Sequence, residues 1–297
     1  MGPYNPAADA NRPVNDEIFM KVAVLADIHG NLSALERVTE HIEAWNADQV
    51  VMAGDVVNRG PQPLICWQFV EERAQTAGWR LIRGNHEDYV LVHDGPDAPK
   101  SGPEFEVYLN SYWTYQKMAG KIEALKALPD QVSLTGPDGG EVRVVHSSMR
   151  GNRVGIYPET PDVMLAQLIA PAPALICVGH THRPLIRQLN DTLVVNAGSV
   201  GMPFDGDRRA AYAQLTWQDD RWRAEIIRLD YDQARTEEQF YRSGFIPNAG
   251  PLAEIMLVEF REARSHIHRW LFRYEPLVLS GEMTMAESVR RYLQDIA

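Results

Sequence analysis

Five short segments of this 297-residue chain end in side chains able to bind a metal ion: ADIHGN (26–31), GDVVNRGP (54–61), GNHED (84–88), VHSS (145–148) and GHTHRP (179–184). Asp27 and His29 stand two apart, so in extended chain both side chains point the same way and can grip one ion. His180 and His182 alternate around Thr181 directly after an apolar run, which lets two imidazoles face two neighbouring ions. His146 closes VRVVH, Asp55 follows Gly54 at a strand end, and Asn85 and His86 stand in GNHE. Taken singly, each has a plainer reading: Asp55 as a turn or cap, His146 as a satisfied core histidine, Asn85 as an Asn-type turn. What favours chemistry is that all five occur in order, each where an apolar run gives way to a turn. The donors are oxygen and imidazole nitrogen without thiolate, which suits Mn, Fe, Zn, Ni or Mg rather than a structural zinc cluster. A carboxylate can bridge two ions, and Asp55 is assigned to that bridge.

Segments so far apart meet only if the fold carries them to one place. Residues 21–26 (KVAVLA) predict a strand, and residues 33–44 a helix with Leu35, Val38 and Ile42 on one face and Ser33 with Glu36 as its capping box. DQVVMAG, PLICWQFVEERAQTA and WRLIRG continue as strand, helix and strand. Apolar strands alternating with helices predict an α/β fold, in which loops converge at the carboxyl ends of the strands. Residues 103–128 read as helix without an adjoining strand, within a helical insertion over the sheet edge at about 89–135. EVRVVHSS and ALICVGHTH are further strands, and LIRQLNDTLVVNAGS and AAYAQLTWQDDRWRAEIIRL predict hairpins turning at Asn190-Asp191 and Asp219-Asp220. The hairpins are expected to build a second, antiparallel sheet facing the first.

The chain thus divides into a flexible tail (1–19), a main domain (20–234) and a helical C-terminal extension (235–297), with Thr284 and Glu287 capping its last helix. Ile255, Leu257, Val258, Phe260, Ile267, Trp270, Leu271 and Phe272 are too apolar for a solvated tail. They must pack on the main domain or on another subunit, so a homo-oligomer formed through these helices is one expected outcome.

Lysine plus arginine total 29 against 40 acidic residues, a net charge of −11, which argues against a nucleic-acid polymer as partner. A small anionic substrate then needs local positive charge, which bound metal ions supply. Cys66 and Cys177 sit in apolar runs and read as buried free thiols, fitting a reducing cytoplasm. No run reaches the ~18 apolar residues that span a bilayer, and no leader is recognisable, so neither membrane nor export is expected. Tyr108, Tyr112, Trp113 and Tyr115 read as core, or as a base-stacking platform if they overhang the metals. Arg261, Arg264, Arg269 and Arg273 read as a solvated helix face, and Gly198 and Gly201 as a close backbone pass or a tight turn.

Together the blocks D-x-H, G-D-x-x-x-R-G, G-N-H-E, a lone histidine and G-H-x-H, over roughly residues 20–230, resemble the calcineurin-like metallophosphoesterase superfamily. The resemblance implies a four-layer α/β/β/α sandwich with two facing mixed sheets. It implies one ion held by Asp27, His29, Asp55 and His182, and another by Asp55, Asn85, His146 and His180. His86 matches the family's catalytic histidine and Arg59 the arginine on phosphate oxygens. The expected reaction is in-line hydrolysis of a phosphodiester or phosphomonoester by metal-activated hydroxide, without a phospho-enzyme. Asn58 stands where Ser/Thr protein phosphatases carry an aspartate that orients the histidine. NAGSVG and GHTHRP resemble small prokaryotic phosphodiesterases, and GDVVNRGP diadenosine-tetraphosphatase-like members. A small phosphoester, a nucleotide in particular, is therefore the expected partner. The alternatives are a Ser/Thr-type protein phosphatase and a non-catalytic interaction protein of the same fold, against which the presence of His86 argues.

Overall fold

The computed structural model describes residues 19–296. Strand β1 (Met20–Leu25) turns Val22, Val24 and then Ala26 to one face and Ala23 and Leu25 to the other, all fully buried. A strand apolar on both faces needs a cover on each side. Parallel to it run β2 (Gln49–Met52) and then β3 (Arg80–Leu81), linked through α1 (Leu32–Trp45) and α2 (Pro63–Ala77) on the outer face. The cap of α1 differs from the Ser33–Glu36 expectation. Asn31 is the N-cap, its side-chain oxygen accepting from the Ala34 N–H, because the turn delivers Asn31 first and leaves Ser33 buried inside the helix.

After β3 come α3 (Asn85–Leu91), α4 (Pro103–Val107), α5 (Leu109–Lys117) and α6 (Ile122–Lys126). Residues 131–135, read with this insertion, instead form β4 (Gln131–Thr135), an edge strand antiparallel to β5 (Glu141–Val145). Next follow α7 (Asp162–Leu168), β6 (Leu175–Val178), β7 (Leu185–Leu189) and β8 (Thr192–Asn196), giving a five-stranded sheet in the order β4-β5-β6-β8-β7.

The hairpin of β9 (Ala210–Gln218) and β10 (Arg221–Leu229) turns where expected but goes to the other sheet. β9 pairs antiparallel with β1, Val24 opposite Ala213, so the first sheet runs β10-β9-β1-β2-β3. The free edge of β1 takes the hairpin. Among the described residues no separate antiparallel sheet forms, and both sheets are mixed: the first is parallel from β1 to β3 and antiparallel on the β9–β10 side, and the second is parallel at its centre with an antiparallel strand at each edge.

Between the sheets Val22, Val24, Val51 and Ile82 meet Val142, Val144, Leu175, Cys177 and Val195. Outside the first sheet, Ala23, Leu25 and Met52 pack with Leu35, Val38, Cys66 and Val70 of α1 and α2. Outside the second, Ile176, Val178 and Val194 pack with Leu165 and Leu168 of α7. The result is the helix, sheet, sheet, helix sandwich that the motifs imply.

The remaining helices are α8 (Gln233–Arg242), α9 (Phe245–Asn248), α10 (Leu252–Glu262), α11 (Ile267–Leu279) and α12 (Met285–Ile296). Phe240, Phe245, Ile255, Phe260, Trp270 and Tyr292 form one core with Val107 and Trp113 of the insertion. The apolar core of the extension thus packs on this same chain, whereas Tyr241, Leu279 and above all Phe272, 88% exposed, face outwards. Thr284 Oγ1 accepts from the Glu287 N–H, capping α12. Among the described residues, no helix is long and apolar enough to cross a membrane.

Candidate metal and active site

The turns after β1, β2, β3, β5 and β6 open on one rim. Asp27, His29, Asp55, Asn58, Arg59, His180 and His182 all have left-handed backbone, with φ between 49° and 68°. Each such non-glycine residue costs about 1–2 kcal/mol, and strain concentrated in this way marks loops that the surrounding structure forces into place. The restraint is visible. The N–H groups of Asp27, His29 and Gly30 donate to the carbonyls of Gly54, Asp55 and Val56, stitching the first loop to the second. The buried Glu87 carboxylate accepts from the N–H groups of Asp55, Val56, Val57 and Gly84, binding the second loop to the third. Asn196 donates to the Gly179 carbonyl and to Thr181 Oγ1, and Ser199 Oγ donates to the Asp27 carbonyl. The NAGSVG block therefore supports both the first and the last of the histidine loops. A Cβ on Gly201 would lie 1.8 Å from the Ile28 carbonyl oxygen, so this glycine is a close backbone pass.

All seven residues expected to hold metal converge. One ligand atom from each of Asp27, His29, Asp55 and His182 lies within 4.8 Å of the others. His29 Nε2 is 3.1 Å from His182 Nε2, and 3.9 and 3.7 Å from Asp27 Oδ1 and Asp55 Oδ2. On the other side of Asp55, His146 Nε2 lies 3.4 Å from Oδ2 and 2.8 Å from Asn85 Oδ1, which is also 2.8 Å from His180 Nδ1. Asp55 Oδ2 is thus common to both groups.

Donor chemistry tests the fit to a cation. His29 and His182 each turn Nδ1 to a backbone carbonyl, of Asn58 and Met202, which fixes that nitrogen as the donor and leaves two bare Nε2 lone pairs facing each other. His146 likewise turns Nδ1 to a backbone carbonyl, that of Ala53, at 2.8 Å. Asp55 Oδ1 accepts from the His86 N–H and Asp27 Oδ2 from the His180 N–H, yet Asp27 Oδ1 and Asp55 Oδ2 are buried without any hydrogen-bond partner. Buried unpaired acceptors facing bare imidazole nitrogens are costly unless positive charge lies among them. These residues fit divalent cations.

The protonation equilibria carry the same demand. Burial alone would depress His146, but the negative charges of the Asp55 carboxylate, 3.4 Å away, and of Asp27 push it up to about 10. Burial raises Asp27, whereas Asp55 is held well below the usual carboxylate range because His146 and His86 outweigh its burial. Burial drives His29 and His86 well down, and takes His180 to about 3. Glu87 is pushed up to about 7 by burial and by the Asp55 charge.

His86 stacks edge-on to His29, with ring centroids 4.8 Å apart. Its Nδ1 meets Asn58 Nδ2 at 3.0 Å. The Asn58 amide has one orientation, because its Oδ1 accepts the backbone N–H of Arg59 and the amide of Asn110. Its NH₂ must therefore donate to His86 Nδ1, and a neutral His86 carries its proton on Nε2. An aspartate here would instead take a proton from Nδ1.

Arg59 pairs with Glu259 of α10, which is fully buried and accepts from the N–H groups of His266 and Ile267 through its other oxygen. The guanidinium also lies over Phe204, which stacks on His182 at 4.3 Å. Sequence reasoning missed Glu259, although a lone acid inside the apolar run IMLVEF was its signal. Over the rim opens a cleft of about 830 Å³, whose lining includes Asp55, His86, Arg59, Phe204, Tyr108 and, from the C-terminal extension, Arg264 of the α10–α11 connection and Arg269 of α11. Of Tyr108, Tyr112, Trp113 and Tyr115, only Tyr108 lines it. Trp113 belongs to the core against Phe245, and Tyr112 and Tyr115 stack on each other.

Two mixed sheets between helices, with Asp, His and Asn side chains gathered at the strand ends, define a metallophosphoesterase-type centre. Residues 20–220 match the calcineurin-like phosphoesterase superfamily domain, and the chain belongs to that superfamily of phosphoester hydrolases. It is 27% identical over 206 residues to the phosphodiesterase YfcE of Escherichia coli, covering 66% of this chain and 88% of that one. A segment of 94 residues is 30% identical to the symmetrical bis(5′-nucleosyl)-tetraphosphatase of Psychromonas ingrahamii, 31% of this chain and 33% of that protein. The crystal structure of a metallophosphoesterase from Sphaerobacter thermophilus superposes with a TM-score of 0.64 at 27% identity, over 83% of this chain and all of the other.

Proposed function

We propose that this enzyme is a dinuclear-metal phosphoesterase acting on a small phosphodiester or phosphomonoester, with a nucleotide as the substrate class. The observation that carries this reading is Asp55 Oδ2, a buried carboxylate oxygen without a hydrogen bond, shared by two groups of imidazole and oxygen donors. Asp27, His29, Asp55 and His182 would hold one ion, and Asp55, Asn85, His146 and His180 the other. Two cations held there, drawn from Mn, Fe, Zn, Ni or Mg, would supply an acidified water and charge neutralisation for the attacking and leaving oxygens. His86, with its proton on Nε2, donates to the leaving or a non-bridging oxygen, and Arg59 orients the phosphoryl group. The names of the phosphodiesterase and tetraphosphatase relatives support a phosphoester of a nucleotide. The C-terminal helices that wall the cleft favour a small substrate over a protein loop. Two buried free thiols suit a cytoplasmic setting.

The test is hydrolysis of bis-p-nitrophenyl phosphate by purified protein supplied with Mn. Turnover that disappears on Asp55→Ala is expected. No turnover with any of the five metals would transfer the fold to a non-catalytic binding role.

A further inference from the structure

We infer that the C-terminal helices complete the substrate cleft with a second anion subsite, in which Arg264 and Arg269 bind a phosphate group other than the one that is cleaved. The inference rests on the phosphoesterase reading above and extends it to the kind of substrate. Of the four arginines expected to form a solvated helix face, two are spent on the surface: Arg261 pairs with Glu237 and Arg273 with Asp295. Arg264 and Arg269 instead line the cleft that opens on the metal ligands, and among the described residues neither has an acidic partner within ion-pair distance. The other arginines on its walls are neutralised, Arg59 by Glu259 and Arg183 by Glu159, and the lining acid Asp205 is taken by Arg228.

A chain with a net charge of −11 thus keeps two uncompensated guanidinium groups on one wall of its active-site cleft. Guanidinium forks match phosphate oxygens bidentately, and unpaired ones facing a cleft are poised for an anion. The cleft is also larger than one phosphoryl group needs: about 830 Å³ lies towards the upper end of small-molecule pockets. Tyr108 lines it as well, an aromatic surface suited to a ring such as a nucleobase. The substrate class is therefore a nucleotide ester carrying a second, uncleaved phosphate.

A matched pair of substrates isolates the second phosphate: the p-nitrophenyl ester of thymidine 5′-phosphate, and the same ester bearing a 3′-phosphate. Their leaving group and scissile bond are identical. The 3′-phosphorylated ester should show a kcat/KM about tenfold or more higher, carried by KM, although its added charge opposes the net charge of the protein. Replacing Arg264→Ala and Arg269→Ala together should bring the ratio of the two substrates close to one. Calorimetric titration with the products, thymidine 3′,5′-bisphosphate against thymidine 5′-monophosphate, reads the same preference without turnover.

A preference that survives the double substitution, or none in either assay, overturns the inference. If neither ester is hydrolysed but the bisphosphate preference exists and is lost in the variant, the second-phosphate subsite stands and the hydrolytic reading falls.

Discussion

Glu259→Gln is the substitution that best separates this account from one in which the C-terminal helices are passive cover. Glu259 is fully buried, and the Arg59 side chain is 11% exposed. One oxygen of Glu259 meets the guanidinium, while the other accepts the N–H groups of His266 and Ile267, each at 2.7 Å. A glutamine cannot satisfy both sides. If its oxygen faces the two N–H groups, its NH₂ is driven against Arg59; if it turns round, its NH₂ meets two donors. Either way a nearly buried guanidinium loses its counter-charge, and breaking such a pair from one side costs about 3–5 kcal/mol. For a chain of this size that corresponds to a fall in Tm of roughly 6–20 °C.

The paired variant Arg59→Met with Glu259→Gln removes the orphaned charge and lets the glutamine oxygen serve the two N–H groups. Most of the loss should return, with a coupling of about 2 kcal/mol in the double-mutant cycle. Urea denaturation of the four proteins measures this, and steady-state kinetics with bis-p-nitrophenyl phosphate should show KM rising in Glu259→Gln as Arg59 loses its station. A single variant within about 1 kcal/mol of the parent, or a cycle without coupling, would refute the reasoning.

Three further outcomes follow from the site. Gly84→Ala would set a methyl carbon 2.1 Å from Asp55 Oδ1, so metal uptake measured by calorimetry should fall by at least about tenfold. Proton release should accompany metal binding. With its pKa raised from 6.5 to about 10, His146 is protonated near neutrality in the metal-free protein, so affinity should rise with pH between about 6 and 8, and calorimetry in buffers of different ionisation enthalpy should count about one proton released from it. By the same linkage, this histidine stabilises the metal-free fold below 6.5 and ceases to do so as pH climbs through about 10. Asn58→Asp should move the neutral proton of His86 from Nε2 to Nδ1, which ¹⁵N spectra of the imidazole resolve; an unchanged tautomer would count against the fixed amide orientation.

The ligand segments were legible because metal chemistry restricts residue type and because each stands where an apolar strand ends, as Asp27 and His29 do after KVAVLA. The turns of both hairpins were legible too, since Asn190, Asp219 and Asp220 tolerate the left-handed backbone those turns require. Which sheet the β9–β10 hairpin joins was not, because it depends on the free edge of β1, nearly 200 residues earlier in the chain, and local pattern carries no such information. Residues 131–135 were misread as insertion for a similar reason: an edge strand with a mostly exposed pattern has little apolar signal. Arg264 and Arg269 look like Arg261 and Arg273 in sequence, and only the packing of the C-terminal helices decides which pair faces the cleft. Asn58 was flagged by its position, but the direction of its amide came from the Arg59 N–H and Asn110.

The central claim is that Asp55 bridges two cations, and anomalous diffraction from crystals grown with Mn tests it most directly. The account predicts two anomalous peaks roughly 3.5–4 Å apart, one on each side of Asp55 Oδ2. A single peak, or peaks away from Asp55, would contradict it.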